Sequence, residues 1–348
     1  MAYFEVKHIE IKGISAAVPL NKVSNRSFDH NDKASNDRLI DAIGIEERRV
    51  ASSNTCASDL CVSAASRLLD KLKWNKSDID VVFFVSQSPD YILPGSSTQI
   101  ASRMGLSKSC LAFDVNQGCA GYVYGLSLIS AFMSSTKLKR GLLLVGDTIT
   151  QYISSDDKAL LPIFSDAGTA TAIEFNESAS AMRFNSTIYG EDYESIIVKN
   201  GGAKQIKKSD NDFESGLTQN KLQLEMKGME VFAFSIAKVA PHVNELIERS
   251  GENKASIDYF VFHQANKLIL QSITEKLQID AEKVPSSLKL FGNTSGATIP
   301  LTLVTELKKQ ELLPDAKMLL CGFGVGLSIA SVLLNFKGIV CPDLIEIP

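Results

Sequence analysis

Apolar residues along the chain fall into short unbroken runs, separated by longer stretches with helical spacing. An alternating segment at 5–14 and apolar runs at 81–86, 111–115, 141–146 and 169–174 predict strands in the first half. Runs at 182–188, 259–263, 318–321 and 329–336 predict strands in the second. Between them, apolar positions three and four apart predict helices over 58–72, 96–104, 120–134, 226–250, 268–277 and 298–310. Pro241 lies inside the fourth of these and predicts a kink or break there. Strands that are apolar throughout are buried on both faces, which requires covering layers of helix. The stretch 200–222, polar and carrying Lys204, Lys207 and Lys208, reads as a surface excursion.

The pattern occurs twice. Shifted by 178 residues, Leu68-Leu69 falls on Leu246-Ile247, Asn75-Lys76 on Asn253-Lys254, and Ile79-Asp80 on Ile257-Asp258. Phe84 falls on Phe262, and Gly118-Cys119 on Gly296-Ala297. Matches spanning helix, loop and strand in one register are the signature of a duplication. The expected architecture is therefore an α/β body of two similar halves, 1–178 and 179–348, stacked as α/β/α/β/α. Loops that are equivalent in the two halves would face one another across a pseudo-twofold axis.

Composition narrows the function. The chain has 348 residues, 45% hydrophobic and 22% charged, an ordinary globular profile. A net charge of -4 argues against nucleic acid as the main partner. No apolar run approaches the ~18 to 20 residues of a membrane span. The N-terminal residues alternate like a strand and lack the basic-then-apolar pattern of a leader. The six cysteines (56, 61, 110, 119, 321, 341) form no C-x-x-C pair, and no histidine stands at metal-ligand spacing, so no metal site is expected. Gly322-Phe323-Gly324-Val325-Gly326 lacks the third spaced glycine and the acidic residue of a dinucleotide fingerprint. A reducing cytoplasmic setting suits a reactive thiol.

Cys119 is the residue best placed for chemistry. It lies in Gly118-Cys119-Ala120-Gly121, where a predicted strand gives way to a helix. Helix starts carry unpaired N–H groups and partial positive charge, which predicts a thiolate. His263 closes the apolar run 258–262, and Asn293 lies in the Gly-rich turn Gly292-Asn293-Thr294-Ser295-Gly296. Each has a plain alternative: a buried thiol at a tight turn, a core histidine, an ordinary turn residue. Together, from equivalent loops of two halves, they form a nucleophile with partners.

Three motifs in order, Gly118-Cys119-Ala120-Gly121, His263-Gln264-Ala265-Asn266 and Gly292-Asn293-Thr294-Ser295, strongly resemble those of β-ketoacyl-acyl-carrier-protein synthase III. That family belongs to the thiolase-fold condensing enzymes. The likeness extends to Ala112-Phe113-Asp114-Val115, to Gly44-Ile45 with Arg48, to 226–232 and to Gly322–Gly326, and so covers essentially the whole chain. It implies that Cys119 takes an acyl group from a thioester. His263 and Asn293 would then assist decarboxylation of a malonyl thioester by hydrogen-bonding its carbonyl. The backbone N–H groups of Cys119 and Val325 would form the oxyanion hole. Leu93, Phe164, Asn266, Phe323 and Gly324 are the implied pocket residues. Acyl-CoA, a malonyl thioester and an acyl carrier protein are the implied substrates and partner, with no permanently bound cofactor.

The chain also departs from the family. The N-terminal segment 36–44 lacks the tryptophan often found there; the single one is Trp74. The family's Gly-Asp-Gly element reads Ser165-Asp166-Ala167-Gly168. Leu93 precedes Pro94 where an aromatic from a partner subunit usually gates the acyl pocket. The familiar carrier-docking arginine is missing, leaving Arg249, Lys267 and Lys276 as substitutes. The loop 88–97 is apolar and by family likeness crosses to the other subunit of a homodimer; its plain alternative is a lid on its own pocket. A non-condensing acyltransferase passing the Cys-bound acyl group to a hydroxyl or amine is the alternative on the same scaffold. A non-catalytic partner subunit would have lost its nucleophile.

Overall fold

The structure, a computed structural model, describes residues 2–27, 33–203 and 222–348. Most of the Lys-rich stretch, with Lys204, Lys207 and Lys208, lies outside them.

The first half contains strands β1 (Ala2–Val6), β2 (Ile9–Pro19), β3 (Lys22–Ser24) and β4 (Glu47–Arg49), with helix α1 (Lys33–Ile43) between the last two. There follow α2 (Ala57–Leu72), β5 (Val81–Val85), α3 (Ser96–Met104), β6 (Leu111–Val115), α4 (Gly121–Thr136), β7 (Arg140–Asp147) and β8 (Ala167–Phe175). The second half contains β9 (Met182–Ile188), β10 (Ile196–Val198), β11 (Leu224–Met226), α5 (Gly228–Arg249), β12 (Tyr259–Phe262) and α6 (Lys267–Leu277). It continues through α7 (Leu288–Phe291), α8 (Thr298–Thr302), β13 (Ala316–Gly324), β14 (Ser328–Phe336) and β15 (Ile345–Ile347).

Two large mixed sheets result. One runs β15-β2-β8-β7-β5-β6, the other β1-β9-β14-β13-β12. Their wiring repeats. β5 pairs parallel with β7, which pairs antiparallel with β8, and β8 with β2. β12 pairs parallel with β13, which pairs antiparallel with β14, and β14 with β9. The terminal strands trade places: β1 joins the second sheet and β15 the first, so the halves are laced together by their ends rather than cut cleanly between 178 and 179.

Five layers follow. α2 and α3 cover the outer face of the first sheet, and α5 with α6 that of the second. α4 and α8 lie between the sheets. The central core joins Tyr122, Val123, Leu126 and Ile129 of α4 to Leu143 and Val145 of one sheet and Leu320, Val332 and Leu334 of the other. α4 is apolar nearly all round because it packs on both sides, as a sandwiched helix must.

Three expectations are corrected. The segment 5–14 is two strands, interrupted where His8 takes a left-handed conformation, and these belong to different sheets. α5 runs unbroken through Pro241; it is anchored there by its buried neighbours His242 and Val243, whose packing outweighs the lost hydrogen bond. The helix predicted over 298–310 ends early, in a π-helical turn Leu303–Leu307, after which Lys308 is extended.

Candidate active site

The duplication builds the site. Cys119 lies one residue before Ala120, the N-cap of α4, and Ala297, its equivalent 178 residues on, is itself the N-cap of α8. The two loops touch: a Cβ on Gly296 would lie 2.9 Å from the Gly118 carbonyl oxygen. Bulk at Gly296 would push the halves apart, and at Gly118 it would first meet Gln87 Oε1 of its own half at 2.2 Å. Gly324, at the end of β13, has φ +147°, and a Cβ there would lie 2.7 Å from Cys119 Cβ and 2.9 Å from its Sγ. The loop after β13 therefore lies directly against the nucleophile.

Cys119 is buried. The N–H of Val325, its own N–H and the Ser295 hydroxyl act on its Sγ in the direction of the thiolate. The predicted thiolate is corrected. Burial, with the Asp147 carboxylate adding to it, pushes the thiol up to about 12, beyond what those donors offset. The resting group is a thiol.

His263 follows β12, its N–H held by the Cys321 carbonyl of β13 at 2.8 Å. Burial drives its pKa down to about 3, so the ring is neutral. Nδ1 lies 2.7 Å from Thr298 Oγ1 at the start of α8, which leaves Nε2 for the cavity. The Thr298 hydroxyl also lies 3.0 Å from the Ser295 carbonyl. If it donates to that carbonyl, Nδ1 carries the ring proton; if it donates to Nδ1, Nε2 is N–H and becomes a donor. The Phe323 ring meets the imidazole edge-on at 5.4 Å.

Asn293 is fixed by backbone pairing with the loop before β8: its N–H donates to Ile163 and its carbonyl accepts from Ser165. Its Oδ1 accepts the Ser295 N–H at 2.9 Å, which turns the NH2 end to the cavity as a donor.

Two cavities meet at Cys119. One, of about 230 Å³, is lined by Cys119, His263 and Asn293 together with Phe164, Asn266, Phe323 and Gly324. Its outer wall is the first turns of α5, Gly228 through Ser235, with Met229 exposed at the rim. The other, of about 260 Å³, lies beyond Cys119 and Val325. Ile149, Tyr152, Ile196, Val198 and Leu224 make it mostly apolar, and Gln87 and Asn116, joined at 3.1 Å, form its polar end.

The remaining sequence expectations separate. Leu93 lines neither cavity of its own chain; it is 79% exposed in the loop after β5, with Tyr91 and Ile92. Asn266 lines the His263 cavity and caps α6 by accepting the Ile269 N–H at 2.9 Å, while its neighbour Lys267 lines a separate surface pocket with Gly44 and Leu270. Lys267 Nζ reaches the Asp41 carbonyl and Lys276 Nζ the Ile236 carbonyl of α5, and both side chains are exposed. Arg249 does not fit a docking role at this mouth. It ends the 22-residue α5, whose other end forms the cavity wall, roughly 30 Å away at 1.5 Å per residue. There it stacks on Tyr3 and pairs with Glu245.

Sequence reasoning missed Thr298, Ser295, Asp147, Gln87 and Asn116. Ser295 stood inside a quoted motif. Asp147 showed itself only as an acid ending an apolar strand. Among the described residues no cluster of three histidine, cysteine or acidic side chains could hold a metal, and no helix is long and apolar enough to cross a membrane.

Sequence profiles of 3-oxoacyl-[acyl-carrier-protein] synthase III match residues 113–191, and those of its C-terminal portion match 247–336. A Campylobacter jejuni protein provisionally named 3-oxoacyl-[acyl-carrier-protein] synthase 3 is 33% identical over 346 residues, covering 97% of this chain and 96% of that one. A Staphylococcus epidermidis β-ketoacyl-[acyl-carrier-protein] synthase III is 30% identical, covering 92% and 95%. The crystal structure of a 3-oxoacyl-(acyl-carrier protein) synthase from Burkholderia xenovorans superposes with a TM-score of 0.93 at 35% identity, over 99% of both chains.

Proposed function

The chain belongs to the 3-oxoacyl-[acyl-carrier-protein] synthase III family of thiolase-fold acyltransferases, and from that premise we propose the chemistry its site performs. Cys119 accepts an acyl group from a CoA or carrier-protein thioester. A malonyl thioester then enters, loses carbon dioxide, and its carbanion attacks the acyl-Cys119 carbonyl to give a β-ketoacyl thioester. The observation that carries this reading is the pair of cavities meeting at one sulfur, with His263 and Asn293 in only one of them. The apolar cavity suits the acyl chain. At about 30 Å³ per water-sized group it holds roughly eight or nine such groups. The other cavity suits the malonyl unit, whose thioester carbonyl becomes an enolate as carbon dioxide leaves. The Asn293 NH2 and, with Thr298 donating to Nδ1, the His263 Nε2–H are neutral donors for that charge. The N–H groups of Val325 and Cys119, already at the sulfur, suit the tetrahedral oxyanion. Lys267 and Lys276, both on α6, offer positive charge for a carrier protein.

The test is carbon dioxide release. Enzyme acylated by an acyl-CoA and then given malonyl-CoA or malonyl-carrier should release it in step with product. A protein that acylates Cys119 yet leaves malonate intact would instead be an acyltransferase to hydroxyls or amines.

The functional unit in this reading is a homodimer. Among the described residues β6 is an edge strand, paired only with β5, and exposes Leu111 (44%) and Phe113 (39%). The neighbouring loop exposes Tyr91, Ile92 and Leu93, and Ser97 ties it to β6 through Asp114. An apolar open edge is covered in stable proteins, and a second copy brings its own Leu93 loop to the acyl cavity. Sedimentation should give a dimer; a stable monomer at micromolar concentration would refute the shared pocket.

A further inference from the structure

The cavity that suits the acyl chain ends in two paired amides. Gln87 stands two residues beyond β5, and Asn116 directly follows β6, the strand paired with β5. Gln87 Nε2 donates to Asn116 Oδ1 at 3.1 Å. The backbone on the Gln87 side is pinned: the Gln87 N–H donates to Asp147 Oδ1 at 2.7 Å, and the same oxygen takes the Ser86 hydroxyl at 3.0 Å and the Ser88 N–H at 3.1 Å. Gly118 makes room for the amide. A Cβ there would fall 2.2 Å from Gln87 Oε1, so this oxygen reaches the residue preceding the nucleophile only because that residue is glycine.

Each amide carries one acceptor oxygen and one NH2 group. Their mutual bond uses the donor of one and the acceptor of the other. One oxygen and one NH2 are left over, and that holds whichever way the two amides are turned. Among the described residues neither Gln87 Oε1 nor Asn116 Nδ2 has another hydrogen-bond partner. Charge sets a second condition. Of the described side chains that line this cavity, none is cationic or acidic. A carboxylate on the acyl chain would lose water there and find no counter-ion. The leftover pair instead matches a neutral group that both donates and accepts, and a hydroxyl is the smallest such group.

We propose that the acyl group carried on Cys119 bears a hydroxyl, which donates to the free amide oxygen and accepts from the free NH2 of the Gln87–Asn116 pair. The inference rests on the reading of this cavity as the acyl site. In the homodimer of that reading, the second copy covers the β6 edge beside Asn116 and keeps water from the amides. A plain hydrocarbon chain then leaves both unpaired, and the site selects against it.

The experiment compares CoA thioesters matched in shape, in which a hydroxyl replaces a methyl: 3-hydroxybutyryl against isovaleryl, 4-hydroxybutyryl against pentanoyl, and 6-hydroxyhexanoyl against heptanoyl. Succinyl-CoA is the charged probe. The readout is kcat/KM for acylation of Cys119, followed by mass. In wild type at least one hydroxylated member should exceed its methyl partner by about 10- to 100-fold, the discrimination of one or two such bonds, and succinyl-CoA should be poorest. Gln87→Met and Asn116→Leu keep the side-chain shapes and remove the polar atoms. Each should erase or reverse the preference, chiefly by slowing the hydroxylated substrate. Wild type that favours the methyl partner in every pair would overturn the proposal, as would fastest acylation by succinyl-CoA, or variants that keep the wild-type ratio. Should Gln87→Met not fold, Asn116→Leu, at an exposed position, decides alone. Hydroxyacyl-enzyme that releases no carbon dioxide with malonyl-CoA would instead sink the condensation reading and leave the acyl preference standing.

Discussion

Cys119→Ala is expected to abolish the covalent acyl adduct and to lower condensation by about 10⁴-fold or more, as loss of a nucleophile does elsewhere. The fold should survive, because the change deletes one sulfur from a crowded position, where Gly324 already allows no Cβ. Mass spectrometry of peptides after incubation with an acyl-CoA checks the outcome. The site matters as much as the mass. Cys56 and Cys110 are only partly buried and present reachable sulfur to a thioester. Yet burial raises both thiols, Cys110 to about 11, and neither has the N–H pair and hydroxyl that converge on Cys119. Modification of Cys119 is therefore expected to depend on the pocket and to saturate with acyl-CoA, whereas background modification of the other two should rise linearly. An adduct that persists on Cys110 or Cys56 in the variant, at the wild-type rate, would show that the nucleophile is misassigned.

Much of this arrangement could be read before any coordinates. Strands such as β5 and β6 are legible because their apolar runs carry no helical period, and their ends agree with the sequence within a residue. The duplication made the convergence of Cys119 and Asn293 predictable, since Gly118 and Gly296 meet at the loop contact that the 178-residue shift implies. What could not be read depends on burial and on chain exchange. The thiolate expectation used local helix geometry, but the sulfur's pKa is set by its enclosure and by Asp147, which is distant in sequence. Arg249 looked equivalent to Lys267 and Lys276 as a surface cation until the length of α5 put it at the wrong end. The crossing of β1 and β15 into the opposite sheets leaves no local signal, because an edge strand pairs through backbone groups that every residue carries.

The decarboxylation step should respond to His263 and Asn293 in a way that acylation does not. His263→Ala is expected to lower carbon dioxide release from pre-acylated enzyme by about 10²- to 10³-fold, the usual effect of removing one oxyanion donor, ~3 kcal/mol. Asn293→Asp isolates the second donor. A carboxylate oxygen still accepts the Ser295 N–H at the 2.9 Å position, while the NH2 becomes a second acceptor. Its loss should match or exceed that of His263→Ala, because it sets a like charge against the forming enolate. The double variant should cost less than the product of the two single losses, since both donors serve one oxygen. Acylation of Cys119 in His263→Ala should stay within a few-fold of wild type; a collapse of both steps together would make His263 the base for the thiol and remove the division of labour argued here. The pH profile offers a separate check. Burial lowers the imidazole to about 3, so the neutral ring persists at every pH above that value, and its donor tautomer with it. Carbon dioxide release by acyl-enzyme should therefore stay level from pH 8 down to about 5. An acid limb centred near the ordinary histidine value of about 6.5 would mean that the ring is solvated and charges freely, and that its catalytic form is not the buried neutral donor.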